Sequence, residues 1–555
     1  MLQKYKKWKV LYNFTPKLIP YILKSLFIIL FSLIIFSSCQ EIQFDQKILD
    51  QTSINAELAH EGFSRCRSFI SAWLEYADSA TGLIPRNIQS SKDIWNAQDA
   101  AADNYPFMVL STAITDPTMF QGKMLDMLRM ETKLTSRVGA LPDTWSFEKQ
   151  DFANSELDMN SILFGSSEYI KDGLLPLTEW LGESPWSNRM ISILDDMWAH
   201  AQFETDYGNI VTPNVEVHGE MLQTLSRIYW MTGQKKCLDW AIRIGDYYLL
   251  GDQNPAINKE SLRLRDHGCE IISGLCELYA TLSVVNPSRR MIYKVPINEM
   301  LNRILETGRN EHGMFYNTVN PQTGAVLDQR MSDNFGYNLN GFYTVYMVDG
   351  VEKYRQAALT ALGTLNNNYK KYLWEGSQGT GSADGYADAI EGALNIYNRE
   401  PLPSAAEWID SEIQEMWSKQ QESGIIEGWH GDGNFARTTI MYCLWKTQGI
   451  TLDPWRDDLK FGALVNNDSL YISISASSKW EGRLIFDTPR HNTSLNMPFD
   501  WPRINQFPEW YAVKNKKYYV FWSDKESRQY KGKKLSEGVN IQIKPGRQLF
   551  VITES

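Results

Sequence analysis

The sequence predicts a mainly α-helical fold, an (α/α)6 toroid, followed by a small C-terminal antiparallel β-sandwich. Three observations predict it. Between about residues 53 and 450, apolar residues recur at helical spacing and the helices come in pairs, with no strand pattern between them. Alternate helices open on a burst of polar residues and glycine. From about residue 459 the apolar period becomes two, as in strands.

The helical segments fall near 53–78, 95–113, 118–134, 156–170, 186–203, 216–233, 235–250, 266–284, 296–308, 335–348, 350–370, 384–398, 404–421 and 432–448. Breakers separate them, such as Gly208-Asn209, Asn286-Pro287 and Pro401-Leu402-Pro403. Paired helices without strands form either a closed ring of hairpins or an open solenoid. A solenoid repeats at a fixed period. Here the spacing is irregular and the loops are long, which favours the ring.

The bursts are Trp95-Asn96-Ala97-Gln98-Asp99, Glu216-Val217-His218-Gly219-Glu220, Asp266-His267-Gly268-Cys269-Glu270, Asn334-Phe335-Gly336-Tyr337, Asp384-Gly385-Tyr386-Ala387-Asp388 and Trp429-His430-Gly431-Asp432-Gly433-Asn434. In a toroid the inner helices start on one rim, so these bursts would converge on one cleft. Capping accounts for Asp, Asn and Gly at helix starts. It does not account for His-Gly recurring at 218–219, 267–268 and 430–431 in a chain with only 7 His. Beyond 459, Asp468–Ser475 alternates cleanly. So do the segments around Arg483–Phe486, Tyr518–Trp522, Val539–Ile543 and Leu549–Ile552. This sandwich carries no obvious catalytic cluster and reads as a support domain.

The N-terminus reads as an export leader. Six lysines and no acid occupy residues 1–24, and the apolar run Leu26–Phe36 is too short to span a bilayer. The run ends in Ser37-Ser38-Cys39, which resembles a bacterial lipobox with Cys39 as the lipidated residue. The expected organisation is 1–38 lipoprotein signal peptide, 39–52 linker, 53–455 toroid and 456–555 β-domain. The protein is expected to be exported and lipid-anchored to the outer membrane, on its periplasmic or cell-surface side. Net charge is −11, and loss of the six leader lysines takes it to −17, which excludes a nucleic-acid partner. Cys66, Cys237, Cys269, Cys276 and Cys443 match no zinc or disulfide spacing and read as free buried thiols.

A lipobox, a helical toroid with polar inner-helix starts and a C-terminal sandwich resemble the toroid carbohydrate enzymes of Bacteroidota polysaccharide-utilisation systems. The stretch from Asp384 to Gly449 is the most distinctive part. It is similar to a family acting on uronic-acid oligosaccharides, in which two relatives compete. One is the ulvan-oligosaccharide dehydratase type; the other is the glycoside hydrolase family 154 β-glucuronidases. The resemblance implies an oligosaccharide substrate, sulfated or not.

The two chemistries need different residues. Elimination at C4 of a uronic acid, expelling water or the next sugar, needs a base for the C5 proton, an acid, and a group that neutralises the carboxylate. His218, His267, Tyr337 and His430 are the catalytic candidates for it. Trp95, Asp99, Asn214, Glu220, Asn334, Tyr386, Trp429 and Arg437 are the substrate-binding candidates. Hydrolysis needs two carboxyl groups instead, and Asp99, Asp103, Glu220, Asp266, Glu270, Asp388, Glu391 and Asp432 supply them. The His-Gly recurrence and the tyrosines favour elimination; hydrolysis is the alternative, and a non-catalytic glycan-binding lipoprotein the second. No cofactor is expected. No metal is expected either, because His218, Glu220, His267 and Asp432 show no zinc-like spacing. The sequence leaves the oligomeric state open.

Overall fold

The computed structural model describes residues 45–376, 380–523 and 526–555, and the backbone alone of His267. The leader, including Cys39, lies outside the described residues.

Outer and inner helices differ in how their apolar residues are placed. The outer helix Lys235–Leu249 buries one stripe, Cys237, Leu238, Ala241, Ile244, Gly245, Tyr248 and Leu249, and leaves the rest to solvent. The inner helix Asn434–Thr447 is buried on every side. Numbered along the chain, the outer helices are α1 (Gln46–Glu75), α3 (Leu125–Thr135), α6 (Pro185–Ala199), α8 (Lys235–Leu249), α10 (Pro287–Thr307), α12 (Glu352–Asn368) and α14 (Pro403–Trp417). The inner wall is formed by α2 (Tyr105–Thr115), the pair α4 (Met159–Glu168) and α5 (Leu175–Leu181), α7 (Val215–Thr232), α9 (Glu270–Val285), α11 (Phe335–Asp349), α13 (Ala383–Tyr397) and α15 (Asn434–Thr447). Each inner segment packs on the next, and α15 packs on α2, which closes the ring. The architecture is the helical toroid expected from the sequence. Among the described residues it carries one hairpin beyond the plain six.

Close approach between inner helices is made by glycine. A Cβ placed on Gly336 of α11 would fall inside the Gly392 backbone of α13, and one on Gly219 of α7 would meet the backbone at Glu270 and Ile271 of α9. Gly431 is likewise pressed against Asn104 and Trp73. The recurring glycine of the His-Gly pairs is therefore a packing requirement. Gly336→Ala is expected to cost about 1–3 kcal/mol through overpacking. Urea unfolding would measure it, and an unchanged midpoint would refute the contact.

Two π-helical turns interrupt the wall. Ala97–Asn104 leads into α2, and Tyr169–Leu174 joins α4 to α5; the two turns pack on each other. Gly173 sits at their contact, where a Cβ would meet Pro106 and Ala101. Gly173 and Pro176 explain why the expected helix stops near 170: they read as breakers, whereas the chain carries on through the π turn to Leu181. In the same way Pro296 lies inside α10, so that helix begins at Pro287 and not near 296.

The C-terminal strands form two antiparallel sheets. One has five strands in the order Lys460–Asn466, Ser469–Ala476, Gly546–Glu554, Tyr518–Trp522, Ser527–Lys531; the other has three, Val539–Ile543, Trp480–Ile485 and Thr451–Asp453. The first sheet abuts α1, where Gly462 lies against Ala56 and Asn55 Nδ2 donates to the Ala463 carbonyl at 2.8 Å.

Between strands Trp480–Ile485 and Tyr518–Trp522 the chain leaves the sheets and enters the toroid. Trp501, Arg503, Ile504, Asn505, Gln506 and Phe507 are all buried there. Arg503 pairs with Glu179 of α5, and Arg227 of α7 donates to the Ile504 carbonyl. Trp501 Nε1 donates to Glu277 of α9, and Arg399, just beyond α13, pairs with Asp500. The excursion is thus tied to the inner wall on several sides.

Candidate functional site

Five of the six bursts converge; the one at Glu216–Glu220 does not line the cavity. A cavity of about 640 Å³ is lined by residues from the π turn before α2, from the second π turn, and from the starts of α9, α11, α13 and α15. Its wall is dominated by carboxyl groups, among them Asp99, Asp103, Asp172, Asp266, Glu270, Asp384, Asp388 and Asp432. Both π turns contribute charged residues to it: Asp99 and Asp103 from the first, Lys171 and Asp172 from the second. A π turn turns side chains off the regular helical register, and such turns recur at functional sites.

Asp388 is bonded to three side chains of the wall. Its Oδ1 accepts from Arg437 Nη2 at 2.5 Å and from the Tyr337 hydroxyl at 2.8 Å; its Oδ2 accepts from Asn334 Nδ2 at 2.7 Å. Arg437 is spent on internal partners. Its Nε faces Glu391 at 2.8 Å, and its Nη1 donates to Asn434 at 2.8 Å and Asn505 at 3.0 Å. Lys171 is equally engaged, donating to Asp172 at 2.6 Å and to Glu270. Burial works against its charge, but Asp172 and Glu270 outweigh burial and hold the ammonium well above its usual range.

Several nearby carboxyls are raised above their usual range. Burial pushes Asp103 up to about 7, against the pull of His430. Burial pushes Glu391 to about 7 and Asp432 to about 6, and lifts Asp384, beside Asp388 and Asp432, well above the carboxylate range. His430 Nε2 lies 3.6 Å from Asp103 and 3.7 Å from Asp99, while its Nδ1 lies 3.0 Å from the Gly431 carbonyl. Burial pulls the imidazole down, yet Asp103 and Asp99 together raise it. Asp99, Asp103 and His430 could also offer ligand atoms to a cation, all within 4.8 Å of one another.

These shifts set a pH dependence of stability. Asp103, Glu391 and Asp432 bind protons in the folded state that unfolded carboxyls release near pH 4. Their stabilisation is complete below about pH 4 and is lost as pH rises through about 6–7. Thermal unfolding is expected at a lower temperature at pH 8.5 than at pH 5.5, and a rise over that interval would contradict the assignment.

The structure sorts the sequence candidates. Tyr337, His430, Asp99, Asn334, Trp429 and Arg437 line the cavity. Trp429 stands at 80% exposure, with Arg86 over its ring at 5.6 Å. His218 does not line it. It is fully buried, its Nδ1 lies 2.8 Å from the Tyr248 hydroxyl, and burial pushes it down to about 4, so it is a neutral core histidine. Trp95 is buried in a short strand paired with Trp145, and Asn214 caps α7 by accepting from the Glu216 N–H at 2.9 Å. Tyr386 is buried behind the wall, under the Lys419 ammonium at 5.6 Å. Glu220 lies behind the lining, its carboxylate within 4.8 Å of those of Glu168 and Asp172. The side chain of His267 lies outside the described residues.

Lys171, Asp172 and Asn505 escaped the sequence argument. The first two sit on a π turn, which leaves no periodic signal. Asn505 arrives from the β-domain, more than fifty residues past the last inner helix.

No family model matches the chain, and no curated protein matches it. Among solved structures it is similar to the family 76 α-1,6-mannanase of Salegentibacter sp. HEL1_6, at 10% identity over 57% of this chain and 96% of that one, TM-score 0.40. It is also similar to a family 76 mannosidase of Bacteroides thetaiotaomicron, at 11% identity over 69% and 98%, TM-score 0.39. A cellobiose 2-epimerase of Bacillus thermoamylovorans shares 12% identity over 49% and 85%, TM-score 0.37. Likeness at this level carries no function, so the chemistry of the cavity has to decide it.

Proposed function

We propose that the protein is a glycoside hydrolase that cleaves next to an uncharged sugar unit, with Asp103 as proton donor and Asp388 as the partner carboxylate. One observation carries this reading: the two cations deepest in the wall, Lys171 and Arg437, are already bound to the protein's own carboxylates. Elimination from a uronic acid needs a free positive or hydrogen-bonding group for the substrate carboxylate. Lys419, the other ammonium of the wall, lies over the Tyr386 ring instead. The proton-transfer groups fit elimination poorly as well. Burial, and Asp388 and Glu391 beside it, hold the Tyr337 hydroxyl well above its usual range in spite of Arg437, and Asp103 and Asp99 raise His430 against burial, so neither is a ready base.

Hydrolysis fits the carboxyls. Asp103 at about 7 keeps its proton at neutral pH and gives it to the glycosidic oxygen as the C–O bond breaks. Asp388 accepts from Arg437, Tyr337 and Asn334, and its Oδ2 has only one of these donors. That oxygen takes a proton from water as the hydroxide adds to the anomeric carbon. Trp429 at the rim offers a face on which the next sugar stacks. A glycan-binding protein would need Trp429 but not a wall of buried, half-protonated acids.

The test is to incubate the protein with neutral and uronic-acid oligosaccharides while following reducing ends and the ultraviolet band of unsaturated uronates. Reducing ends without absorbance are expected. Absorbance with loss of water and no chain cleavage would overturn the hydrolase and restore elimination.

A further inference from the structure

Asn505 lies at the tip of the excursion that the β-domain sends into the toroid, and it is 1% exposed. Its backbone is in the left-handed region, φ 58°, which asparagine and glycine tolerate and most residues do not. There it makes three bonds to three ionisable groups at or beneath the cavity wall. Its N–H donates to Glu391 Oε1 at 2.6 Å, its Nδ2 donates to Asp172 Oδ1 at 2.6 Å, and its Oδ1 accepts from Arg437 Nη1 at 3.0 Å. The carboxamide is thus both donor to one carboxyl group and acceptor from a cation, and its backbone serves a second carboxyl group. No charged side chain in its place could do all three.

We infer that Asn505 is a positioning residue for the reacting carboxyls, delivered by the C-terminal domain through the far side of the ring. Arg437 can hold Asp388 in place only if its own orientation is fixed. Asn505 and Asn434 both accept from its Nη1, while Nε and Nη2 face Glu391 and Asp388. Asp172 stands between Lys171 and the Asn505 carboxamide, and its charge is one of those that raise Asp103. Asn505 therefore acts on both partners of the proposed pair without touching substrate. The β-domain is then a component of the site as well as a support.

The inference rests on the hydrolase reading, and the experiment separates the two. Asn505→Gly keeps the left-handed backbone and the N–H to Glu391 but removes the carboxamide. It is expected to fold, to lower kcat about tenfold or more with KM within about twofold, and to shift the alkaline limb of the pH–rate profile upward. The sign follows from Asp172: without its donor its negative charge acts more strongly on Asp103, which then holds its proton to higher pH. Asn505→Asp adds a further charge and is expected to shift the limb further in the same direction, so it serves if the glycine variant does not fold. An active wild type with a glycine variant of equal kcat and unmoved limb overturns the inference. A wild type that cleaves no glycan overturns the hydrolase reading instead. In that case the carbon-13 titration of the Asp and Glu carboxyls decides for Asn505: moved midpoints in the glycine variant support it, and unmoved ones sink it.

Discussion

Asp103→Asn is expected to lower kcat by about two to four orders of magnitude, the range that a positioned general acid supplies. The side chain keeps its size, so the cavity keeps its shape, and substrate affinity is expected to change little. What disappears is the transferable proton. The wild-type rate is expected to fall as pH rises through about 7, because Asp103 must be protonated to act. The residual rate of the variant should have no such limb. Stability provides a second check of opposite sign. Above about pH 4 the folded protein must hold this carboxyl against its release in the unfolded chain, so the variant is expected to gain in melting temperature relative to wild type as pH rises towards 8. A variant that keeps the limb at 7 would move the acid role elsewhere, with Asp432, at about 6, next in line. Leaving-group dependence would settle the role: an activated aryl glycoside, needing no proton, should be cleaved by the variant far better than a sugar–sugar bond.

The sequence made the ring and the rim visible. Helical period, paired breakers and polar helix starts located the inner helices, and those starts, that of α7 excepted, share one cavity, to which Asp99, Asn334, Tyr337, His430 and Arg437 contribute. It failed where the signal was local and the cause was distant. The His-Gly pairs look like one motif. In the structure, however, Gly219 and Gly431 answer to different close approaches, His218 is sealed in the core, and His430 faces two acids. Arg437 reads from the sequence as a substrate-binding candidate. Only the three-dimensional arrangement shows Asp388 and Glu391 around it. The preference for elimination rests on the His-Gly recurrence and the tyrosines, whereas the proposed chemistry turns on which charges of the cavity are already paired. The excursion into the ring was beyond reach for another reason. Residues 486–517 carry neither period, and their burial depends on a toroid assembled hundreds of residues earlier.

Arg503→Met is expected to destabilise the protein by about 3–5 kcal/mol, the cost of leaving a buried charge without its partner. Arg503 is fully buried. Its Nη2 donates to Glu179 at 2.5 Å, and its Nη1 donates to Asp500 at 2.7 Å and to the Trp501 carbonyl at 2.6 Å. Glu179, at 1% exposure, has no water to turn to when the guanidinium is gone. Methionine keeps much of the volume, so the loss would report charge and not a void. Adding Glu179→Leu to the same chain removes the stranded carboxylate, and much of the stability is expected to return, since an apolar pair can replace a buried ion pair. Activity should part company with stability in that double variant. Asn505 is only two residues from the lost anchor. A chain that regains its melting temperature but not its kcat would show that the excursion serves the cavity floor beyond holding the ring together. Full recovery of both would reduce it to a plug.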